Sequence, residues 1–508
     1  MDADLAGRPL GPLAVDSVAH AASDRMFHPE PTALAAVPKP LTDRERRIIV
    51  VSMMLPVFLG SIDQSILASS LPTIGRALGD VHDLPWLITA FLIASTALTP
   101  LYGKFADIHG RRASMLIGLG IYMAGSLISA SSSSMLMLIC GRIVQGCGGG
   151  GLVTTAQMIL GDLASPRDRA KYYAYFSIAF TTAGGCGPAL GGWICDHLYW
   201  WMIFLWNLPI CAVAVVFTLT VLRRLPRYER RHRFDIVGAV LVMAASSTFM
   251  LALNLGGVRL PWASAPIVAL LVCALLLGIG FVFRLRTAAE PLIPIAVLAD
   301  PVARLSMLAH CFGWGSLIGL NIFLPMYLQN ALGWSPTDSG LSLMILMITL
   351  NASAGLSSQI VGRVKHYKAL PLVCLVLGIG AVLTLAFSAA TMTPRKFEII
   401  LFFIGLGFGP TAPLTQVVLQ NTVSNHHLGT AIGTMSFCRT LLATIIVAVF
   451  GAIVLGGAPG AGHVTGGASA GTFSIIFLAA AGALSVSFLA MLLLEERPLR
   501  GTLPSAGP

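Results

Sequence analysis

With 508 residues, 56% of them hydrophobic and 11% charged, and a mean hydropathy of +0.82, the chain carries too little polar surface for a water-soluble globule, whose charged fraction is about a quarter. Its nine cysteines form no CxxC pair and fall in or at the ends of apolar runs, so they read as small packing residues rather than disulfides or metal ligands. The net charge of +10 has an explanation in loop topology, given below, and needs no nucleic-acid partner.

The apolar residues come in blocks of about 20, the length with which a helix crosses about 30 Å of hydrocarbon; barrel strands would alternate over about ten residues. Breaks rich in charge or turn residues predict fourteen spans: 48–72, 84–106, 113–132, 135–161, 171–195, 200–222, 236–255, 265–283, 303–328, 338–361, 369–390, 397–422, 428–455 and 472–494. The least secure break is "DHLYW", Asp196 to Trp200, between the fifth and sixth spans. The chain is therefore expected to be an all-α membrane protein with both termini on one side.

Short loops rich in Lys and Arg stay cytoplasmic. With the N-terminus inside, the cytoplasmic flanks hold 23 of the 32 Lys and Arg, and the opposite loops hold four: Arg76, Arg259, Arg395 and Lys396. The chain is thus expected to be a multi-pass protein of the cell (inner) membrane with cytoplasmic termini. "TPRKFE", Thr393 to Glu398, is the one loop that argues the other way. The densest basic run, "RRLPRYERRHRF" from Arg223 to Phe234, reads as an ordinary cytoplasmic loop or as one that touches anionic headgroups. Residues 1–43, Ala/Pro-rich and without a basic-then-apolar signal pattern, are expected to be a disordered cytoplasmic tail, with a second tail at 497–508.

Internal repetition marks the halves of many transporters. After span 2 the chain reads "GKFADIHGRR" and after span 10 "GLSSQIVGRV", so that Gly103, Asp107, Gly110 and Arg111 correspond in spacing to Gly355, Gln359, Gly362 and Arg363. Duplication predicts six-helix halves at 44–222 and 301–496, with residues 223–300 supplying a basic linker and an inserted helix pair.

Here the chain resembles a known family. "GKFADIHGRR" is similar to the G-x-L-A-D-R-x-G-R-[RK] loop of the major facilitator superfamily, and "RIVQGCG" from Arg142 is similar to its fourth-helix R-x-x-Q-G-x-G. "GPALGG", with Gly187, Pro188, Gly191 and Gly192, resembles the fifth-helix motif of its antiporters, and "IDQSILASSLP" from Ile62 resembles the first-helix motif of the fourteen-helix drug:proton antiporter branch. Ile108 replaces the Arg expected after Asp107, and Ser65 and Ser70 replace the usual Thr and Ala. The resemblance implies two six-helix bundles rocking about a midplane site, plus the inserted pair.

Ionisable groups within spans are functional hypotheses by default. Asp63 is the only carboxylate deep within a span, and Arg142 and Arg439 are the comparable guanidiniums. Spans 1 and 4 are neighbours in the resembled fold, so Asp63 with Arg142 is either a proton-coupling pair or a permanent ion pair joining two helices. Arg439 has no acid in its own bundle core and is expected to pack structurally through backbone carbonyls, or else to touch substrate. Asp107, Arg111 and Arg112, with the turn glycines Gly103 and Gly110, either lock the inward face against the other half's helix end or form a solvated turn.

Five glycines and a proline in "TTAGGCGPALGGWI" are the poorest helix formers available, set inside a span. Missing side chains let another helix approach closely, as a gasket between moving halves or as static packing; the same holds for "GCGGGG", Gly146 to Gly151. Gln64, Gln145, His310, Trp314, Asn321, Asn351, Gln416 and Gln420 are the expected polar lining of a greasy substrate cavity, each also explicable as interhelical bonding. Abundant Met along those helices suits adaptable recognition.

No nucleophile motif, nucleotide-binding loop or set of metal ligands is present, which argues against an enzyme and predicts no cofactor and no metal. The expected function is proton-driven export of small amphipathic organic compounds by a monomer in the lipid bilayer. A transporter dedicated to one metabolite is the alternative; a membrane enzyme or channel is disfavoured.

Overall fold

In lipid every backbone polar group must be satisfied within its own segment, which restricts long apolar runs to helices. The computed structural model describes residues 42–79, 83–164, 166–224, 234–257, 259–288, 290–293, 295–334, 336–361, 366–424, 427–456 and 470–498. The expected N-terminal tail, most of the basic run between spans 6 and 7, Gly362 and Arg363 of the second loop copy, and residues 499–508 lie outside the described residues.

Among the described residues fourteen long helical elements follow in order: α1 (Asp43–Leu78), α2 (Leu84–His109), α3 (Arg111–Ala130), α4 (Met135–Leu163), α5 (Pro166–His197), α6 (Met202–Thr220, broken at Trp206), α7 (Ile236–Leu255), α8 (Ala265–Thr287), α9 (Pro301–Asn330), α10 (Pro336–Val361), α11 (Ala369–Phe387), α12 (Pro394–Thr422, broken near Gly409), α13 (Leu428–Gly456) and α14 (Ala470–Leu493). Thirteen are long and apolar enough to cross a bilayer. The exception is α5, whose first turns carry Arg167, Asp168, Arg169 and Lys171 and whose centre is the glycine-rich stretch.

Local chemistry sets the helix ends. Gly110 turns the chain between α2 and α3 at φ +90°, a conformation that side chains with a Cβ rarely adopt. Asp300 caps α9 by accepting from the Val302 and Ala303 amides at 2.8 and 3.3 Å, with Pro301 at the first helical position. Asp235 caps α7 through the Gly238 amide and binds Arg284 of α8 at 2.9 Å, which ties the inserted pair together.

Helices α1–α6 enclose one apolar core, including Ile62, Ile66, Leu138, Ala183 and Phe204. Helices α9–α14 enclose another, including Leu320, Tyr327, Leu401, Phe450 and Phe477. A third cluster joins the two halves: Ala106 and Met158 meet Ala303, Met307, Leu419, Ile432 and Met435. It lies at the end of the bundle where α1 begins and α14 stops, here called the basic end. α7 rests against both α2 and α13, so the inserted pair lies along the seam between the halves. Thr89 with Asn254, and Asp83 with Arg259, fasten it to α2 near the far end, while Phe437 and Leu441 of α13 meet it through apolar contact.

Candidate functional site

Three constellations gather the predicted residues. The first is built on α1 and α4. Asp63 is 4% exposed and Arg142 fully buried; Arg142 Nη1 donates to Asp63 Oδ2 at 2.6 Å. The other carboxylate oxygen, Oδ1, accepts from Gln145 Nε2 at 3.0 Å and from Asn207 Nδ2 of α6 at 3.1 Å. Arg142 also donates to the Leu87 carbonyl and to Gln145 Oε1, and its guanidinium stands 4.5 Å from the Phe91 ring centroid. Gln145 reaches Ser126 of α3 as well. Three helices thus meet at the acid itself, and α2 and α3 join through Arg142 and Gln145. Gln145, expected in the substrate cavity, instead completes this cluster. One buried polar atom beside it, Arg142 Nη2, has no hydrogen-bond partner among the described residues.

Backbone approach allows this convergence. A Cβ at Gly125 of α3 would lie 2.5 Å from Gln145 Cα, and one at Gly146 would lie 2.5 Å from the Phe91 carbonyl oxygen. Gly148 meets α3, Gly150 meets α2 and Gly151 meets the Tyr102 ring, so the run in α4 is tight packing within its own half.

The second constellation joins the halves at the basic end. Asp107 accepts from the amides of Gly429 and Thr430, at 3.2 and 2.8 Å, and from the Thr430 hydroxyl at 2.8 Å. These groups open α13, where unsatisfied amides and the helix dipole favour an anion. Arg111 donates to Asp107 at 2.6 Å and to Asp162 of α4 at 2.8 Å, which fixes the carboxylate from behind. Gly103 and Gly433 allow the crossing: a Cβ at Gly103 would lie 2.7 Å from the Gly429 carbonyl oxygen, and one at Gly433 would lie 3.2 Å from Gly103 Cα. Arg112 takes no part; it donates to the Leu219 carbonyl of its own half. Nearby, Gln420 of α12 donates to the Tyr173 hydroxyl at 2.7 Å, so this expected cavity residue bridges α12 and α5. Gln359, the counterpart of Asp107 in the second loop copy, is exposed and bonds to no described residue.

The antiporter-like stretch shows the static packing that is one of its two readings. Side chains added at Gly187 or Gly191 would run into Ser65, Ile66 and Ser69 of α1, so these two glycines seat α5 on its own half, while the helix also packs against α10 and α12 of the other half. Gly184, Gly185 and Gly192 face open space, and Pro188 lies exposed within a helix that continues through it.

The third constellation lies in the C-terminal half. His310 is 2% exposed, its Nδ1 is 2.8 Å from Thr415 Oγ1, and its ring is parallel to Trp314 at 6.4 Å. Arg439 of α13 stands 4.8 Å from the Trp314 ring centroid. It bonds to no backbone carbonyl among the described residues, contrary to the packing role expected of it; stacking on the indole holds it instead. Gln416 is buried, Asn321 half-buried, and Asn351 turns back to the Met347 carbonyl of its own helix. Gln64 is exposed and joins none of these groups. An apolar groove of about 560 Å³ between α1, α5 and α6, lined in part by Val51, Phe58, Ala179 and Phe217, contains none of the predicted site residues.

Sequence reasoning missed Asn207, Thr430, Asp162 and Tyr173. A lone amide in an apolar run two residues before Pro209 was the signal available for Asn207; nothing local marks Thr430, whose role depends on the other half.

Comparison with known proteins accords with this architecture. The profile described as Major Facilitator Superfamily matches residues 53–448. Multidrug transporter protein MdtP of Bacillus subtilis (strain 168) is 30% identical over 414 residues, 81% of this chain and 75% of its own length. Efflux pump dotC of Dothistroma septosporum (strain NZE10 / CBS 128990) is 30% identical over 419 residues, covering 80% of this chain and 71% of its own. Among solved structures, the human organic anion transporter MFSD10 (TETRAN) superposes with a TM-score of 0.63 at 18% identity, over 88% of this chain and 99% of that one. A bacterial homologue of the iron transporter ferroportin in an outward-facing state gives 0.61 at 13%, over 87% and 98%. At such identities the two structures speak for the fold alone.

Proposed function

Because the chain belongs to the major facilitator superfamily, and is a membrane transporter rather than an enzyme, we propose that it is a proton-coupled exporter of amphipathic organic compounds. We place it in the fourteen-helix drug:proton antiporter branch, as a monomer in the cell membrane with the basic end toward the cytoplasm. The basic loops support that orientation. Curated relatives named as multidrug transporter and efflux pump support the substrate class.

The observation that carries the coupling is the buried acid at the centre of a polar cluster fed by five helices. A proton arriving at Asp63 Oδ2 competes with Arg142 Nη1 for the same oxygen. Protonation would release the guanidinium, and re-pairing would expel the proton. Gln145 and Asn207 hold Oδ1 throughout, so the carboxylate keeps its place while Oδ2 exchanges partners. Rocking of the halves would supply the change in access. Hydrogen bonds from Arg169, Gln420, Gly429 and Thr430 join the two halves at the basic end, so the present conformation is closed there, and Asp107 on the start of α13 is the clasp that opening must break.

The test is transport of an amphipathic dye in proteoliposomes with an imposed proton gradient. Asp63→Asn should abolish uphill movement and retain downhill equilibration. Full gradient-driven accumulation in that variant would refute the assignment.

A further inference from the structure

Arg142 and Arg439, the guanidiniums set within spans, have opposite surroundings. Arg142 has an acid, an amide and a carbonyl. Arg439 has no hydrogen bond or ion pair to any described residue, and its Nε is buried without a partner. No Asp or Glu occurs within α9 or between α11 and α14 except Glu398, in the first turns of α12. Among the described residues no acid is paired with the Arg439 cation, and Asp338, the acid of α10, lies in the first turn of that helix.

Two more orphaned atoms lie on the neighbouring helices. The Thr415 hydroxyl gives its proton to the Thr411 or Ala412 carbonyl, at 2.7 and 3.1 Å. With its proton so placed it accepts from His310 Nδ1 in the Nδ1–H tautomer, in which Nε2 is a lone pair, buried and without a partner among the described residues. Thr411 Oγ1 is likewise buried without a partner. Trp314 links the set, parallel to His310 and beneath Arg439.

Helical register places the group. Ile432, Met435 and Arg439 recur at i, i+3 and i+7 on α13; Ala303, Met307, His310 and Trp314 recur at i, i+4, i+7 and i+11 on α9. The first two residues of each series are packed in the cluster that joins the halves, with Ala106 and Met158 opposite. Each series then runs on to Arg439 or to His310 and Trp314, with His310 bonded to Thr415 of α12. The trio thus stands one to two turns beyond the closed seam.

We propose that His310, Trp314 and Arg439 bind the anionic end of the cargo, which is an amphipathic compound carrying a carboxylate and a nearby hydroxyl or N–H. The carboxylate pairs with the Arg439 fork, the donor meets His310 Nε2, and the apolar body lies against the Trp314 side of α9. This deepens the exporter reading and rests on it for calling the ligand cargo; binding itself does not depend on proton coupling.

The test is equilibrium binding to the full chain in phosphatidylcholine nanodiscs at pH 7 with no gradient, using dansylglycine and its neutral twin dansylglycinamide. Wild type should favour the acid by about tenfold or more, the order expected for a charge-assisted pair. Arg439→Gln should bring the two probes level by weakening the acid alone. Should that variant fail to assemble, Arg439→Lys carries the comparison: charge without the planar fork should leave a reduced preference. Equal affinities in wild type, or a preference that survives Arg439→Gln, would overturn the proposal. So would displacement of the acid by short-chain phosphatidylglycerol with no effect of Arg439→Gln on dansylglycine, which would assign the guanidinium to a lipid phosphate. An Asp63→Asn protein that fails to pump yet still prefers the acid would leave this site standing, and the converse result would leave the coupling assignment standing.

Discussion

Asp107 on α2 and Thr430 on α13 are joined twice, through the Thr430 amide and its hydroxyl, each at 2.8 Å. A carboxylate from one half serves as the N-terminal cap of a helix in the other. The energy of an ordinary helix cap is thereby converted into a force between bundles, which disappears when they separate.

Thr430→Val keeps the amide bond and removes the hydroxyl, so it should destabilise the closed basic end by about 1 kcal/mol. Asp107→Asn, which removes the charge, should cost about 1.5–3 kcal/mol. Spin-label distances between the basic ends of α2 and α13 report the populations. Unaltered distance distributions in Asp107→Asn would show that the clasp does not govern closure.

Gly103→Val adds a branched side chain where even a Cβ would lie 2.7 Å from the Gly429 carbonyl oxygen. The contact is made only while the halves are shut, so the variant should assemble normally and populate the state open at the basic end. Cysteine labelling near Thr430 should rise several-fold, with transport lost.

Breaking the Asp63 to Arg142 pair by Arg142→Leu leaves a buried carboxylate with amide donors alone and should destabilise the fold by about 3–5 kcal/mol. Adding Asp63→Asn should recover a large part of that loss, because no charge is then stranded. Thermal unfolding in detergent checks the cycle; strictly additive effects would show that the two side chains are not coupled.

Outside the bilayer, Asp300 binds Arg497 at 3.0 Å and so ties the segment after α14 to the start of α9. Partial burial disfavours its charge, but hydrogen bonds from Arg497, Ala303 and Val302 outweigh this and hold the carboxyl below its ordinary value. A depressed carboxyl stabilises the folded contact above its unfolded pKa of about 4, and the contribution is lost as pH falls through the lower folded value. Protease cleavage near Arg497 should therefore increase only in strong acid, and Arg497→Ala should make it fast at neutral pH.

The helices were legible because lipid leaves a long apolar segment no other way to satisfy its backbone. Span 236–255 coincides with α7, and the weakest break, after Asp196, falls between α5 and α6. Asp63 and Arg142 stood out for the cost of a charge in hydrocarbon, and the Asp107 loop for its spacing. The cavity and interhelical readings of Gln145 and Gln420 stayed open for the same reason that Asn207 and Thr430 were missed: an amide or hydroxyl within a span shows that it needs a partner but not where the partner is.

Composition and loop charge alone determined the class of the protein, the number of helices and the expected end of the bundle that faces the cytoplasm, because these follow from the solvent that each residue tolerates. Packing alone decided that the α5 glycines sit on α1, that one aspartate caps a helix in the opposite half, and that Arg439 rests on an indole with no acid beside it. Those outcomes depend on which helix faces come within a few ångströms of each other, and that is fixed only when residues hundreds of positions apart compete for the same space.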